Sequence, residues 1–311
     1  MLFNLALVAG GLVVLLLAGD LLVRGAGGLA LRLGIPALIV GLTVVAFGTS
    51  APELLVSVKA VLADADGLAL GNVVGSNIAN ILLVIGLPAL IAPMMTGRAY
   101  LHDYLIMLAA TALFGLLALT GAIDRWQALV LLAAFALFMA ESVRKARQAR
   151  NVSGLPEDGS MSVPKLALLL MLGIAGLPLG ANLLVNGATE IASELGVSDV
   201  MIGLTIVAIG TSLPELATTL MAAIRREGGV ALGNILGSNI FNLLFILGVA
   251  GLFGRIDIPP QVLALDFWVM LAAALVLAPF LWAERAVGRL AGLVLLLGYS
   301  GYIWALIAIG G

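Results

Sequence analysis

The 311-residue sequence has no cysteine, one histidine and very little charge. Without cysteine there are no disulfides and no thiolate metal sites, although that says nothing about compartment. The lone His102 offers no paired imidazoles to a softer metal and reads as an interfacial residue near a helix end. Asp, Glu, Lys and Arg make up 10% of the chain, against about 25% in soluble domains. So little charge cannot cover a water-facing surface, and an integral membrane protein is expected. The N-terminus lacks a basic segment and a convincing small-residue cleavage site, so the first apolar run reads as a retained helix. A net charge of −2 is uninformative for a chain mostly out of water.

What is present is apolar: 62% hydrophobic residues and a mean hydropathy of +1.20. Runs long enough for about 20 helical residues lie at 2–23, 36–62, 68–93, 102–121, 124–143, 164–186, 198–224, 230–254, 261–283 and 287–309, which predicts ten spans. A β-barrel is excluded, because its strands would be about 10 residues of alternating polarity. With loops alternating between sides, Arg24, Arg32, Arg98, Arg144, Lys145, Arg147, Arg150, Lys165, Arg225, Arg226, Arg285 and Arg289 fall on one side; only Lys59, Arg125 and Arg255 fall on the other. The first side is then cytoplasmic, and both termini face outward. The connector at 144–163 is too short to fold alone and reads as a basic linker against anionic headgroups.

The chain also repeats itself. "GLTVVAFGTSAPEL" at 41–54 returns as "GLTIVAIGTSLPEL" at 203–216, and "GNVVGSNIANILLVIG" at 71–86 as "GNILGSNIFNLLFILG" at 233–248, both at an offset of 162. Even "DLLVRGA" at 20–26 has a partner in "NLLVNGA" at 182–188. The predicted fold is therefore all-α, with a five-helix repeat over 1–143, a cytoplasmic linker over 144–163 and a second repeat over 164–311. Five spans is an odd number, so the second repeat enters the membrane inverted. Many secondary transporters share this architecture and place their ion sites at the repeat interface.

Within the repeats, Ser50-Ala51-Pro52-Glu53 and Ser212-Leu213-Pro214-Glu215 match a helix-starting capping box with proline in the first turn. In a soluble protein each glutamate would merely cap a helix. Here both motifs fall mid-span and predict helices broken inside the membrane. Proline removes a donor and frees carbonyls one turn earlier, and such groups are tolerated only where protein or a cavity satisfies them. A cation would satisfy both the freed oxygens and the carboxylate. An acid at the bilayer centre costs about 2.5–3.5 kcal/mol, and the chain carries two at equivalent positions. Asn72, Ser76 and Asn80 share one helical face with Asn77 beside them; Asn234, Ser238, Asn239 and Asn242 repeat the pattern. Asn72, Asn77, Asn234 and Asn239 fit either helix–helix hydrogen bonding or a site, whereas Gly71, Gly75, Gly233 and Gly237 fit close packing. Carboxylate, carbonyl, hydroxyl and amide oxygens suit Ca²⁺, Mg²⁺, Mn²⁺ or Na⁺. Because Mg²⁺ dehydrates reluctantly, a nearly all-protein cage favours Ca²⁺.

The paired "GTSAPE…GNVVGSNIAN" and "GTSLPE…GNILGSNIFN" blocks resemble the two α-repeats of the sodium/calcium exchanger family, and the prokaryotic-type resemblance covers essentially the whole chain. The resemblance implies a multi-pass protein of the prokaryotic inner or cell membrane that extrudes Ca²⁺ on inward Na⁺ flow. By position, Glu53 and Glu215 would be the central ligands of both ions, with the backbone oxygens of Ala46, Thr49, Ala208 and Thr211 and the hydroxyls of Ser50, Ser212, Ser76 and Ser238 completing the sites. Asn80 and Asn242 would lie at the centre; many family members carry Asp at one of these, and this chain has Asn at both. A Ca²⁺/H⁺ exchanger protonating the same glutamates is the first alternative; an intramembrane aspartyl-type protease is a remote one, since it needs an Asp pair. No enzymatic activity, cofactor, nucleic-acid partner or obligatory protein partner is expected; the transported ions and the bilayer are the partners. Asp20, Asp103 and Asp266 read as helix caps.

Overall fold

A computed structural model describes residues 1–153, 161–196 and 208–310. The chain forms helices α1 (Leu2–Leu33), α2 (Ala37–Thr49), α3 (Ala51–Leu62), α4 (Asp66–Ile91), α5 (Arg98–Ala118) and α6 (Arg125–Ser153). After the connector come α7 (Val163–Glu194), α8 (Ala208–Thr211), α9 (Leu213–Ile224), α10 (Gly228–Phe253), α11 (Val262–Trp282) and α12 (Arg289–Gly310). Among the described residues eight helices are long and apolar enough to cross a membrane, and the bent pair α2–α3 makes a ninth candidate. Of the expected span 198–224, residues 198–207 lie outside the described residues, as do 154–160 of the connector.

Several helices outrun their apolar stretches. α1 and α7 each hold 32 residues, about 48 Å at 1.5 Å per residue, against a hydrocarbon core of about 30 Å. Hydropathy falls at Arg24, but the backbone ladder is indifferent to charge. α1 ends only where Gly34 turns left-handed (φ 64°) and its N–H caps the carbonyls of Ala30 and Leu31. In the same way, 144–153, expected as linker, continue α6. The fold is not purely helical: Ala122–Ile123, in the loop before α6, pairs antiparallel with Ile256–Asp257, in the loop before α11.

The repeat is visible in the backbone. At the same offset of 162, α3 matches α9, the left-handed Gly34 (φ 64°) matches Gly196 (φ 82°), and the left-handed Asp64 (φ 53°) matches Arg226 (φ 60°). Both predicted mid-span breaks are present. α2 and α3 bend by 47° at Ser50 (φ −87°, ψ 6°), and Ser212 adopts φ −87°, ψ 3° before α9. The helices facing these breaks are also irregular. α2 is π-helical over Gly41–Val45 and α10 over Phe241–Ile246, a widening often found at functional sites.

α2 crosses α10 with backbones nearly touching. A Cβ at Gly233 would lie 2.6 Å from the Leu38 carbonyl oxygen, and one at Gly237 would lie 2.7 Å from the Ala46 Cβ. Those two glycines do the packing expected of them. Gly71 and Gly75 meet nothing within 4 Å among the described residues; their repeat-equivalent neighbours, 200–204, lie outside those residues.

Candidate ion-binding site

The two breaks and the two polar helix faces converge on Glu53 and Glu215. Each glutamate sits in the first turn after a broken span, is 1% exposed, and turns its carboxylate back toward its own backbone N–H. The two carboxylates lie close enough to repel one another when both are ionised. Thr49, Ser50, Ser76, Asn80, Ser212, Ser238 and Asn242 are all buried, as is Ala46, while Thr211 is half-buried. Ala208 opens α8.

The capping reading of the serines does not hold. Neither Ser50 nor Ser212 makes a side-chain hydrogen bond to its own helix. The Ser50 hydroxyl instead donates across the repeats to Glu215 Oε1 at 3.1 Å. Thr49 Oγ1, from the same break, donates to Asn234 Oδ1 at 3.1 Å and lies 3.5 Å from Ser238 Oγ. Hydroxyls of the first motif thus line the carboxylate of the second. The carbonyl of Ala46, expected to be free, accepts from Ser50 N–H at 3.0 Å and Thr49 Oγ1 at 3.2 Å. The single Thr49 proton cannot serve both this carbonyl and Asn234 Oδ1, so the carbonyl keeps one lone pair for an ion whenever Thr49 bonds Asn234.

The asparagines divide into two groups. Asn72 Nδ2 donates to the Glu53 carbonyl at 3.0 Å and Ser57 Oγ at 2.8 Å; Asn234 Nδ2 donates to the Glu215 carbonyl at 3.4 Å and Thr219 Oγ1 at 3.1 Å. Both amides therefore tie the polar helix to the turn that carries the glutamate. Ser57 and Thr219 were missed by the sequence reading, although each lies one turn past its glutamate at the repeat offset. Asn80 Nδ2 donates to Asn239 Oδ1 at 3.0 Å, while Asn77 Nδ2 returns to its own helix at the Val73 carbonyl.

What remains is a set of oxygens with no donor. Among the described residues, Glu53 Oε2, Glu215 Oε2, Asn80 Oδ1, Asn242 Oδ1, Asn77 Oδ1 and Ser212 Oγ are all buried without a hydrogen-bond partner. A buried acceptor left unpaired costs about 1–3 kcal/mol, and more when charged. An oxygen-rich pocket of this kind is chemically suited to hard cations.

The other acids lie elsewhere. Asp20 is not a cap: it sits mid-α1 and pairs with Arg225, with Arg24 at 3.8 Å. Asp103 lies in the first turn of its helix, but buried against Lys145 Nζ at 2.8 Å. Asp266 falls within α11 and accepts from the Tyr302 hydroxyl at 3.0 Å. His102 meets Glu141 at 2.7 Å.

Comparison with known proteins identifies the family. The model of the family described as sodium/calcium exchanger protein matches residues 3–143 and 165–308. A putative antiporter, CaxA of Alkalimonas amylolytica, is 40% identical over 95% of this chain and 96% of its own. The inner membrane protein YrbG of Escherichia coli is 37% identical over 96% and 95%. Among solved structures, the sodium-calcium exchanger NCX_Mj soaked with zero Na⁺ and Ca²⁺ superposes with a TM-score of 0.85 at 32% identity, covering 98% of this chain and 99% of that one. With both motif blocks inside the matched segments, the chain belongs to the sodium/calcium exchanger family of multi-pass cation/Ca²⁺ antiporters.

Proposed function

We propose that this protein exchanges Na⁺ for Ca²⁺ by alternating access, using Glu53 and Glu215 as the carboxylates both ions share. The observation that carries the reading is the group of buried, donorless oxygens on Glu53, Glu215, Asn80, Asn242 and Ser212. Both glutamates ionised bring about two negative charges into a poorly solvated cavity, which is costly to close off from water without counter-ions. One Ca²⁺ or several Na⁺ can neutralise them. Competition for the same oxygens, combined with side-switching only when loaded, gives antiport without covalent chemistry. Thr49, Ser50, Ser76, Ser238 and Thr211, with the backbone of Ala46 and Ala208, supply the flanking neutral oxygens. In this reading ten spans form two inverted five-helix repeats, with the arginine-rich loops cytoplasmic and both termini outside.

The test is ⁴⁵Ca²⁺ uptake by proteoliposomes under imposed gradients. Uptake should follow an outward Na⁺ gradient and ignore a pH gradient. Flux driven by pH and indifferent to Na⁺ would replace this reading with Ca²⁺/H⁺ exchange by the same glutamates.

The same charge count predicts independence from K⁺. Asn80 and Asn242 offer amide oxygens without charge, so one Ca²⁺ balances the site and an added K⁺ would leave it net positive. Na⁺-driven Ca²⁺ flux should persist when choline replaces K⁺ on both sides. Loss of flux that K⁺ restores would show that charge at these positions does not decide K⁺ coupling.

A further inference from the structure

One ion pair breaks the symmetry of the two sequence repeats. Asp20 matches Asn182 and Arg225 matches Ala63 at the offset of 162, so the Asp20–Arg225 pair has no equivalent in the other half. Asp20 lies mid-α1 with its side chain 18% exposed, and the Arg225 guanidinium meets it from the C-terminal end of α9. Arg225 is well placed there, since the last carbonyls of a helix favour a cation.

The pair closes the end of a seam that starts at the ion site. Glu215, Thr218, Ala222 and Arg225 follow one another on one face of α9, at steps of three, four and three residues. Next to this face, α1 comes close at Gly19, where a Cβ would lie 2.9 Å from the Ala217 carbonyl oxygen and 3.3 Å from Thr218 N. Thr218 is fully buried, and its hydroxyl has no hydrogen-bond partner among the described residues. Its repeat equivalent is Val56, so this polar step also belongs to one half alone. The α1–α9 seam thus runs from Glu215 past an unpaired hydroxyl to an ion pair at the arginine-rich end.

We propose that Asp20 and Arg225 form a latch that holds the arginine-rich side of the α1–α9 seam shut and so biases the exchanger toward the state open at the other side. The proposal rests on the alternating-access reading above. In a perfectly symmetric inverted repeat the two end states would have the same internal contacts. A bond present in one state only shifts their populations by its differential free energy. For a part-exposed ion pair that shift is about three- to fivefold.

The chain has no native cysteine, so a single reporter is unambiguous. Thr218→Cys in proteoliposomes is treated with N-ethylmaleimide, and labelling is timed with Asp20 intact, with Asp20→Asn, and with the reversed pair Asp20→Arg/Arg225→Asp. Asp20→Asn, which copies Asn182, should speed labelling about three- to fivefold, and the reversed pair should slow it again. Val56→Cys, at the equivalent place in the other repeat, should label more slowly when Asp20 is replaced. Thr218→Cys labelling that ignores Asp20→Asn, or that is already fast with the pair intact, overturns the latch. Na⁺-driven ⁴⁵Ca²⁺ flux of the Thr218→Cys protein with Asp20 intact, measured on the same preparation, tests the exchange reading separately. Flux with unchanged labelling refutes the latch alone, whereas a labelling shift without flux refutes Na⁺/Ca²⁺ exchange and leaves the conformational role standing.

Discussion

Glu53→Gln and Glu215→Gln should each lower Na⁺-driven Ca²⁺ flux by about 100-fold or more while leaving the protein folded. Glutamine keeps the shape and one acceptor but removes a charge, so a divalent ion meets about one negative charge instead of two. A 100-fold loss corresponds to about 2.7 kcal/mol, which the loss of one buried charge partner readily exceeds. The second consequence is less obvious. The new amide donates hydrogen bonds, and buried acceptors on Asn80, Asn242 and the remaining glutamate have none among the described residues. An N–H from glutamine can satisfy one of them, so ion-free protein should melt at the same or a higher temperature in the variants. Flux and thermal unfolding measured on the same preparations separate the two effects. Near-normal flux in either variant would mean that the two carboxylates do not form one site.

Much of this was legible in the duplicated motifs, because proline and an acid in the middle of an apolar run conflict with a plain span. Both breaks and both buried glutamates follow from that conflict. The partner of Ser50 was not legible. A Ser-x-x-Glu pattern speaks only of its own helix, whereas the hydroxyl bonds to Glu215, 165 residues away. Asp20 failed as a cap for a related reason. The apolar run fades at Arg24, but α1 continues to Leu33, which leaves Asp20 mid-helix and facing Arg225. Ser57 and Thr219 were overlooked because a hydroxyl in a membrane helix commonly bonds its own backbone. Here they accept from Asn72 and Asn234 instead. The repeat offset carried that signal, since both pairs recur together.

Gly233→Val should be the most damaging substitution outside the site. A Cβ at Gly233 would lie 2.6 Å from the Leu38 carbonyl oxygen, 2.9 Å from Gly41 Cα and 3.0 Å from Leu42 N. All three atoms are backbone, so no side chain can swing aside and α2 must move away from α10 as a body. That displacement reaches the site, because α2 ends at Thr49 and the break at Ser50 follows directly. Thr49 bonds Asn234, the residue next to Gly233, at 3.1 Å, and Ser50 bonds Glu215 at 3.1 Å. Overpacking of this kind costs about 1–3 kcal/mol, and binding groups must hold their places to about 0.5 Å to work. A shift of about 1 Å can cost about 100-fold where orientation governs the rate. The variant should therefore lose stability and lower Ca²⁺ flux by one to two orders of magnitude, about 10- to 100-fold, with both glutamates still present. Gly67→Ala is the control: the residue is exposed in α4, its Cβ would meet nothing within 4 Å, and flux should not change. Thermal unfolding and ⁴⁵Ca²⁺ flux of both variants decide the matter. Native flux from a stable Gly233→Val protein would show that the close α2–α10 crossing does not set the geometry of the ion site.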